Sequence, residues 1–315
     1  MQYNSNDVSV ILTCYNEVEF IGDALKSIEE QSAYEAIREV IVVDDGSNDE
    51  SYRVISCFIE GKNKYRLLTQ KNAGLPVARN NALNIAKGKW ICFLDGDDLW
   101  SSNKVERQLQ EANEHPWAIL FYTDSIRFGL QNRYIKARDL PANPKRALID
   151  YFLNDAPILS SAMIKGVVFE ELGAFDPTLR YAQDTEMWTR IVANYPVRRI
   201  PEPLLYRRIH GASLGANYQE KIRYLDLVVE KIVAQFPQLK EFENKKKAKN
   251  RLEIAKRYLR EGRKPLSRTN ALNGMRLDPL FYELYVILVL SYIPSAVRVL
   301  ELLSKIRMNI RKGAI

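Results

Sequence analysis

Cysteine and histidine are scarce in this chain, at three and two among 315 residues. Cys14, Cys57 and Cys92 show no metal-ligand spacing, and Cys14 and Cys92 fall in or beside apolar strand-like runs. No secretory leader pattern opens the sequence, so a reducing cytoplasm is the expected setting. Long hydrophobic runs are missing too. The longest, Leu284 to Pro294, falls far short of the roughly 20 residues that span a bilayer, so no single segment is expected to cross a membrane. Also absent is the Gly-x-Gly-x-x-Gly turn of dinucleotide-binding folds. The first strand-like run leads instead into Thr13-Cys14-Tyr15-Asn16-Glu17, which disfavours an oxidoreductase of that type.

What is present is ordinary in amount and uneven in placement. Hydrophobic residues make up 46% and charged residues 27%, as in globular proteins, and the length suits about two domains. The formal charge is +7. Lys and Arg crowd residues 240–268 and 305–312, whereas the Asp clusters fall in the first half. Such a basic region suits an anionic surface or a phosphorylated substrate, or is simply a solvated helix face. No nucleic-acid-binding motif accompanies it, so no nucleic-acid partner is expected.

Through residue 125 two periodicities alternate. Val8–Thr13, Val40–Val43, Tyr65–Leu68, Trp90–Leu94 and Ala118–Tyr122 read as strands. Helical spacing covers Val18–Gln31, a stretch through Cys57–Ile59, about Leu75–Lys87, and Lys104–Asn113. Continuous apolar strands alternating with helices imply a parallel sheet covered on both faces. Residues 126–157 read as irregular, with a strand at Ile158–Ile164, a helix near Asp184–Asn194 and an extended Val197–Ile209. From about 217 the pattern is helical, with Asp278-Pro279 read as a helix start and Pro294 as the opening of a last helix. The expected domains are 1–215 and a helical region 216–315.

The run Phe93-Leu94-Asp95-Gly96-Asp97-Asp98 carries the chemistry. A buried-strand pattern stops at three carboxylates, which repel one another unless a cation is present. A hard divalent ion binds one or two carboxylates and completes its shell with phosphate oxygens and water. Asp-x-Asp alone also describes a turn that caps the next helix. Three further strand ends add complementary groups: Thr13–Glu17, Asp44–Ser47, and Asn72 through Asn80. Strand ends of one parallel sheet converge at its carboxyl edge. There Tyr15 can stack on a base, an Asp can accept from base or ribose, Arg79 can meet phosphate and Asp97 can hold a metal.

These blocks, followed by Gly173-Ala174-Phe175-Asp176, Gln183-Asp184-Thr185-Glu186-Met187-Trp188 and Tyr206-Arg207-Arg208-Ile209-His210, resemble family 2 glycosyltransferases over roughly residues 7–213. The resemblance implies a GT-A fold, a Rossmann-like, mostly parallel α/β sheet flanked by helices. It also implies inverting transfer from a nucleoside diphosphate sugar, with Mn²⁺ or Mg²⁺ as cofactor. Thr13, Tyr15 and Asp45 would hold the nucleotide base, Glu17 and Arg79 would line the same pocket, and Asp95 and Asp97 would be the two ends of the Asp-x-Asp motif. Asp97 and His210 are the candidate metal ligands, and Arg208 joins the donor-binding set. Asp184 falls where the family keeps its catalytic base. Gln183 stands where many members have Glu, and Glu186 is the reserve candidate. Trp188 and His115 read as structural. A UDP-sugar donor and a glycan or lipid-linked acceptor of cell-envelope biosynthesis are expected. An inactive nucleotide-sugar-binding relative and a sugar nucleotidyltransferase are the alternatives; the latter lacks its Gly-rich loop after Thr13. Leu280 to Ile310 combines apolar residues with Lys305, Arg307, Arg311 and Lys312. It is read as a contact with an anionic membrane surface, at the inner face of the cell membrane, or with another subunit.

Overall fold

The computed structural model describes residues 7–130, 132–141, 143–154, 158–211 and 217–294. The chain divides into two compact units, 1–216 and 217–315. In the first, β1 (Val8–Cys14), β2 (Ile37–Asp44), β3 (Tyr65–Thr69) and β4 (Trp90–Asp95) pair in parallel in the order β3-β2-β1-β4. Helices α1 (Ile21–Glu29), α2 (Ser51–Ile59) and α3 (Leu75–Leu83) connect them.

The central residues Val10–Leu12, Val40–Val43 and Ile91–Leu94 are apolar and buried on both faces because helices cover both. On β1, Val10 and Leu12 pack with Ile21, Leu25 and Ile28 of α1 and Ile55 of α2. The intervening Ile11 packs with Ala78 and Ala82 of α3 on the other face. Each such side chain contributes about 1.5–3 kcal/mol when fully buried.

Beyond β4 the sheet is mixed. It continues through β8 (Met163–Lys165), β6 (Leu120–Gly129), β9 (Val197–Ile209) and β5 (Leu99–Trp100), with β7 (Arg133–Ile135) hairpinned onto β6. β8 runs antiparallel to β4 and β6, and β5 antiparallel to β9. Helix α4 (Lys104–Glu114) covers the α1 face, and α5 (Pro144–Asn154), α6 (Val167–Leu172) and α7 (Gln183–Asn194) lie with α3.

The expectation of an irregular 126–157 is therefore corrected. That stretch holds the end of β6, all of β7 and helix α5. β6 continues past Tyr122 through buried Thr123-Asp124-Ser125 because Asp124 is satisfied inside the sheet. Arg199 donates to both its oxygens at 2.7 Å, and Ala137 N and the Tyr134 hydroxyl donate as well. The expected strand Ile158–Ile164 is a 3₁₀ turn, Leu159–Ser161, followed by β8.

In the second unit the helices are Tyr218–Gln235, Glu243–Arg260, Lys264–Leu277 and Tyr282–Leu290. Ala248, Leu252, Leu259, Ala271, Leu284 and Ile287 form its core. Asp278-Pro279 does not start a helix. Asp278 accepts from Leu280 N at 3.2 Å in a turn, and the last described helix begins at Tyr282. The expected helix after Pro294 lies outside the described residues, as do Lys305, Arg307, Arg311 and Lys312. No described helix is long and apolar enough to cross a membrane.

Candidate active site

The strand order reverses at β1. The chain winds from β1 to β3 on one side and returns to lay β4 on the other. A doubly wound sheet opens a crevice at that point. Thr13 of β1 is level with Asp95 of β4, Cys14 with Asp44, and Asp44 with Thr69. The four polar strand ends thus stand side by side on one edge.

Close backbone approach fixes these turns. Gly96 N donates to Thr13 O at 3.0 Å. A Cβ on Gly96 would lie 2.1 Å from Glu17 Oε2 and 3.1 Å from Thr13 O, so any larger residue there must displace the Glu17 carboxyl. Gly46, with φ +74°, lets the Asp44–Ser47 turn press on the next loop, where a Cβ would lie 2.7 Å from Asn72 N. Asp45 then organises that loop. Its Oδ1 accepts from Gln70 Nε2 and Ala73 N at 2.8 Å, and its Oδ2 from Gly74 N at 2.9 Å. Asn16, at φ 55°, accepts from Asn48 N at 2.7 Å and leaves Tyr15 exposed at the rim.

Four carboxyls crowd the crevice: Glu17, Asp95, Asp97 and Asp98. Burial, then the neighbouring Asp97, Asp95 and Asp98, holds Glu17 well above the usual carboxylate range. Burial, then Asp97 and Asp95, does the same to Asp98. Asp97 is raised by burial and Asp95, with His210 opposing. Among the described residues each aspartate carboxyl meets one partner. Arg79 Nη2 donates to Asp95 at 2.6 Å, His210 Nε2 lies 3.0 Å from Asp97 Oδ2, and Arg208 N donates to Asp98 at 3.1 Å. Glu17 Oε2 and Thr13 Oγ1 are buried with no hydrogen-bond partner of ordinary geometry among the described residues, though the Cys14 thiol lies beside Glu17.

β9 brings Arg208 and His210 over the acidic turn. Arg208 also donates to Asp97 O and to Asp23, a residue that sequence reasoning missed. The Phe20 ring supports both, at 4.7 Å from the His210 ring and 4.8 Å from the Arg208 guanidinium.

Arg79 is turned inward. It is 2% exposed, and its Nε and Nη1 are buried without partners among the described residues. It meets Asp95 and lies 5.7 Å from the Phe175 ring centre.

This donor set fits a hard divalent cation. Crowded carboxylate oxygens, a buried unpartnered one among them, match the preference of such ions. The described residues whose potential ligand atoms cluster in threes lie elsewhere, at Glu111, Glu114 and His115, where Glu111 accepts from Arg198 at 2.7 Å.

Asp184 stands in the first turn of α7 and accepts from Thr185 N at 2.9 Å. Ala182, at φ 54°, turns the chain into that helix. Glu186 is committed elsewhere. Arg190 donates to both its oxygens at 2.7 and 2.9 Å and also holds Leu172 O, Gly173 O and Ala174 O. Trp188 is buried in the core.

The fold is thus a doubly wound α/β sheet with an acidic crevice at its switch point. The chain belongs to glycosyl transferase family 2, whose model matches residues 9–173, just over half its length. It is 36% identical to the putative teichuronic acid biosynthesis glycosyltransferase TuaG of Bacillus subtilis, over 67% of this chain and 82% of that one. It is 29% identical to the Escherichia coli UDP-Glc:alpha-D-GlcNAc-diphosphoundecaprenol beta-1,3-glucosyltransferase WfaP, over 69% of this chain and 83% of that one. Against three uncharacterised Rickettsia glycosyltransferases, 26–29% identical, the match spans only 37%, 34% and 65% of their length. Two solved structures share the fold at a TM-score of 0.58. One is Staphylococcus aureus TarS with UDP-GlcNAc, at 17% identity over 91% of this chain and 89% of that one. The other is the Pyrobaculum calidifontis mannosyltransferase PcManGT with GDP-Man and Mn²⁺, at 18% identity over 90% and 79%.

Proposed function

We propose that this glycosyltransferase moves a sugar, with inversion, from a nucleoside diphosphate donor to a hydroxyl of a glycan or lipid-linked acceptor in cell-envelope polysaccharide biosynthesis. The observation that carries the reading is the four-carboxyl crevice at the switch point, with His210 set against Asp97.

In this reading Tyr15 stacks on the base and Thr13 faces it. Asp45 holds the 70–74 loop around it. Asp97 and His210 hold Mn²⁺ or Mg²⁺, with Asp95 fixed beside them by Arg79. The cation, when bound, supplies positive charge against the diphosphate. Arg208 adds a fixed positive charge at the same edge. Asp184 accepts the proton of the acceptor hydroxyl, a role typically worth 10²–10⁴-fold. The two hydrogen bonds that Glu186 accepts from Arg190 favour Asp184 over it for that role.

UDP is the favoured carrier. TarS and WfaP are described with UDP-sugars, while PcManGT holds GDP-Man. The lipid-linked acceptor follows the undecaprenol acceptor in the name of WfaP. The test is a panel of nucleotide sugars with Mn²⁺ or Mg²⁺, read as nucleoside diphosphate release. Release from one donor, abolished by chelator, is expected. Pyrophosphate release would mean nucleotidyl transfer, and binding without turnover an inactive relative.

A further inference from the structure

The last described helix is apolar on two opposite faces. Leu284, Ile287 and Leu290 face the core of the helical unit. On the outer side, Tyr282, Tyr285, Val286 and Val289 follow at helical spacing and are 63%, 42%, 42% and 61% exposed. Leu280, at 92%, and Tyr292, at 67%, extend this surface at either end. A surface helix of a soluble protein places polar residues there. Here Glu283 is the one charged residue of the helix, and it is half-buried. Single exposed hydrophobics need no explanation, but a row of six large ones marks an interaction surface.

Its surroundings are basic. The Arg268 guanidinium lies 4.6 Å over the Tyr292 ring, Lys264 donates to Ile293 O at 2.9 Å, and Arg276 is exposed. Lys and Arg number 21 against 10 Asp and Glu from residue 217 on, and 25 against 29 before it. The positive excess of the chain therefore lies wholly in the helical unit.

We propose that the Leu280–Tyr292 face docks on an anionic lipid bilayer, with the helix lying in the plane of the membrane interface. Charge decides between this occupant and a second copy. Two copies of the unit would bring like charges together, whereas anionic headgroups complement them. Tyrosine rings suit the headgroup level, with the apolar body inward and the hydroxyl wet. At nine residues the helix lies on a bilayer and does not cross it. The proposal concerns location, not catalysis, and stands independently of the donor and acceptor.

The test is flotation of the full chain with two kinds of vesicle, phosphatidylcholine alone and equal parts phosphatidylcholine and phosphatidylglycerol. Wild type is expected to float with the second kind and to be released by high salt. A Val286→Glu/Val289→Glu variant, altered only at exposed positions, should partition at least tenfold more weakly with its melting temperature unchanged. Wild type that stays soluble with both vesicles at low salt would overturn the proposal. So would a variant that floats as well as wild type. Self-association in sedimentation, lost in the same variant without vesicle binding, would replace the lipid by a second copy.

Discussion

Replacing Lys104 by methionine turns a buried charge into a pH measurement. Lys104 opens α4, is fully buried, donates to Gln108 Oε1 at 2.8 Å, and places its Nζ 4.1 Å over the Trp100 ring. No carboxylate pairs with it among the described residues. Burial pushes its pKa down from 10.5 to about 8. Between these values the unfolded chain holds a proton that the folded chain has released. Stability therefore rises with pH through this window, and below about pH 8 the full penalty is present. The difference of about 2.5 units amounts to about 3 kcal/mol, of which about 2 kcal/mol is relieved between about pH 7 and 9.5. Methionine removes the penalty but leaves Gln108 Oε1 without its donor, at a cost of about 1–2 kcal/mol. Urea unfolding of both proteins across this range isolates the site, because other titrating groups cancel in the difference. The variant should equal or exceed wild type near pH 7 and fall below it by about pH 9.5–10. A difference independent of pH would refute the reasoning.

Three further outcomes are expected. Gly96→Ala should lower stability by about 1–3 kcal/mol and weaken donor binding, since the new Cβ displaces Glu17; unchanged melting and affinity would count against the close packing of the acidic turn. Asp184→Asn should cut transfer by about 10²–10⁴ with donor affinity kept, as read by steady-state kinetics and titration. Glu186→Gln should instead cost about 3 kcal/mol in unfolding experiments, because it weakens the clamp on Arg190. A variant as stable as wild type that has lost its turnover would return the base to that position.

The parallel core was legible because helices cover both its faces, so Val10–Leu12, Val40–Val43 and Ile91–Leu94 read as apolar runs. The acidic turn was legible because charge follows such a run abruptly. β5 and β7 were not, being two and three residues long and held only by partners distant in sequence. The extension of β6 was hidden because its polar residues are satisfied by Arg199, 75 residues away. At the site, sequence supplied the residue types but not their orientation. It offered Arg79 to phosphate, whereas the fold points it at Asp95. It offered Asp184 as base with Glu186 in reserve, but could not show that Arg190 binds both Glu186 oxygens while holding the 172–174 loop. Asp23 and Phe20, which brace Arg208 and His210, belong to α1 and its entry turn, where periodicity marks packing and nothing marks the site.

The most direct test is calorimetric titration of UDP into wild type and Asp97→Ala, each with and without Mn²⁺. Metal should tighten binding by roughly tenfold or more in wild type and have no effect in the variant. The same gain in both proteins would contradict a cation held at Asp97, and with it the proposed donor site.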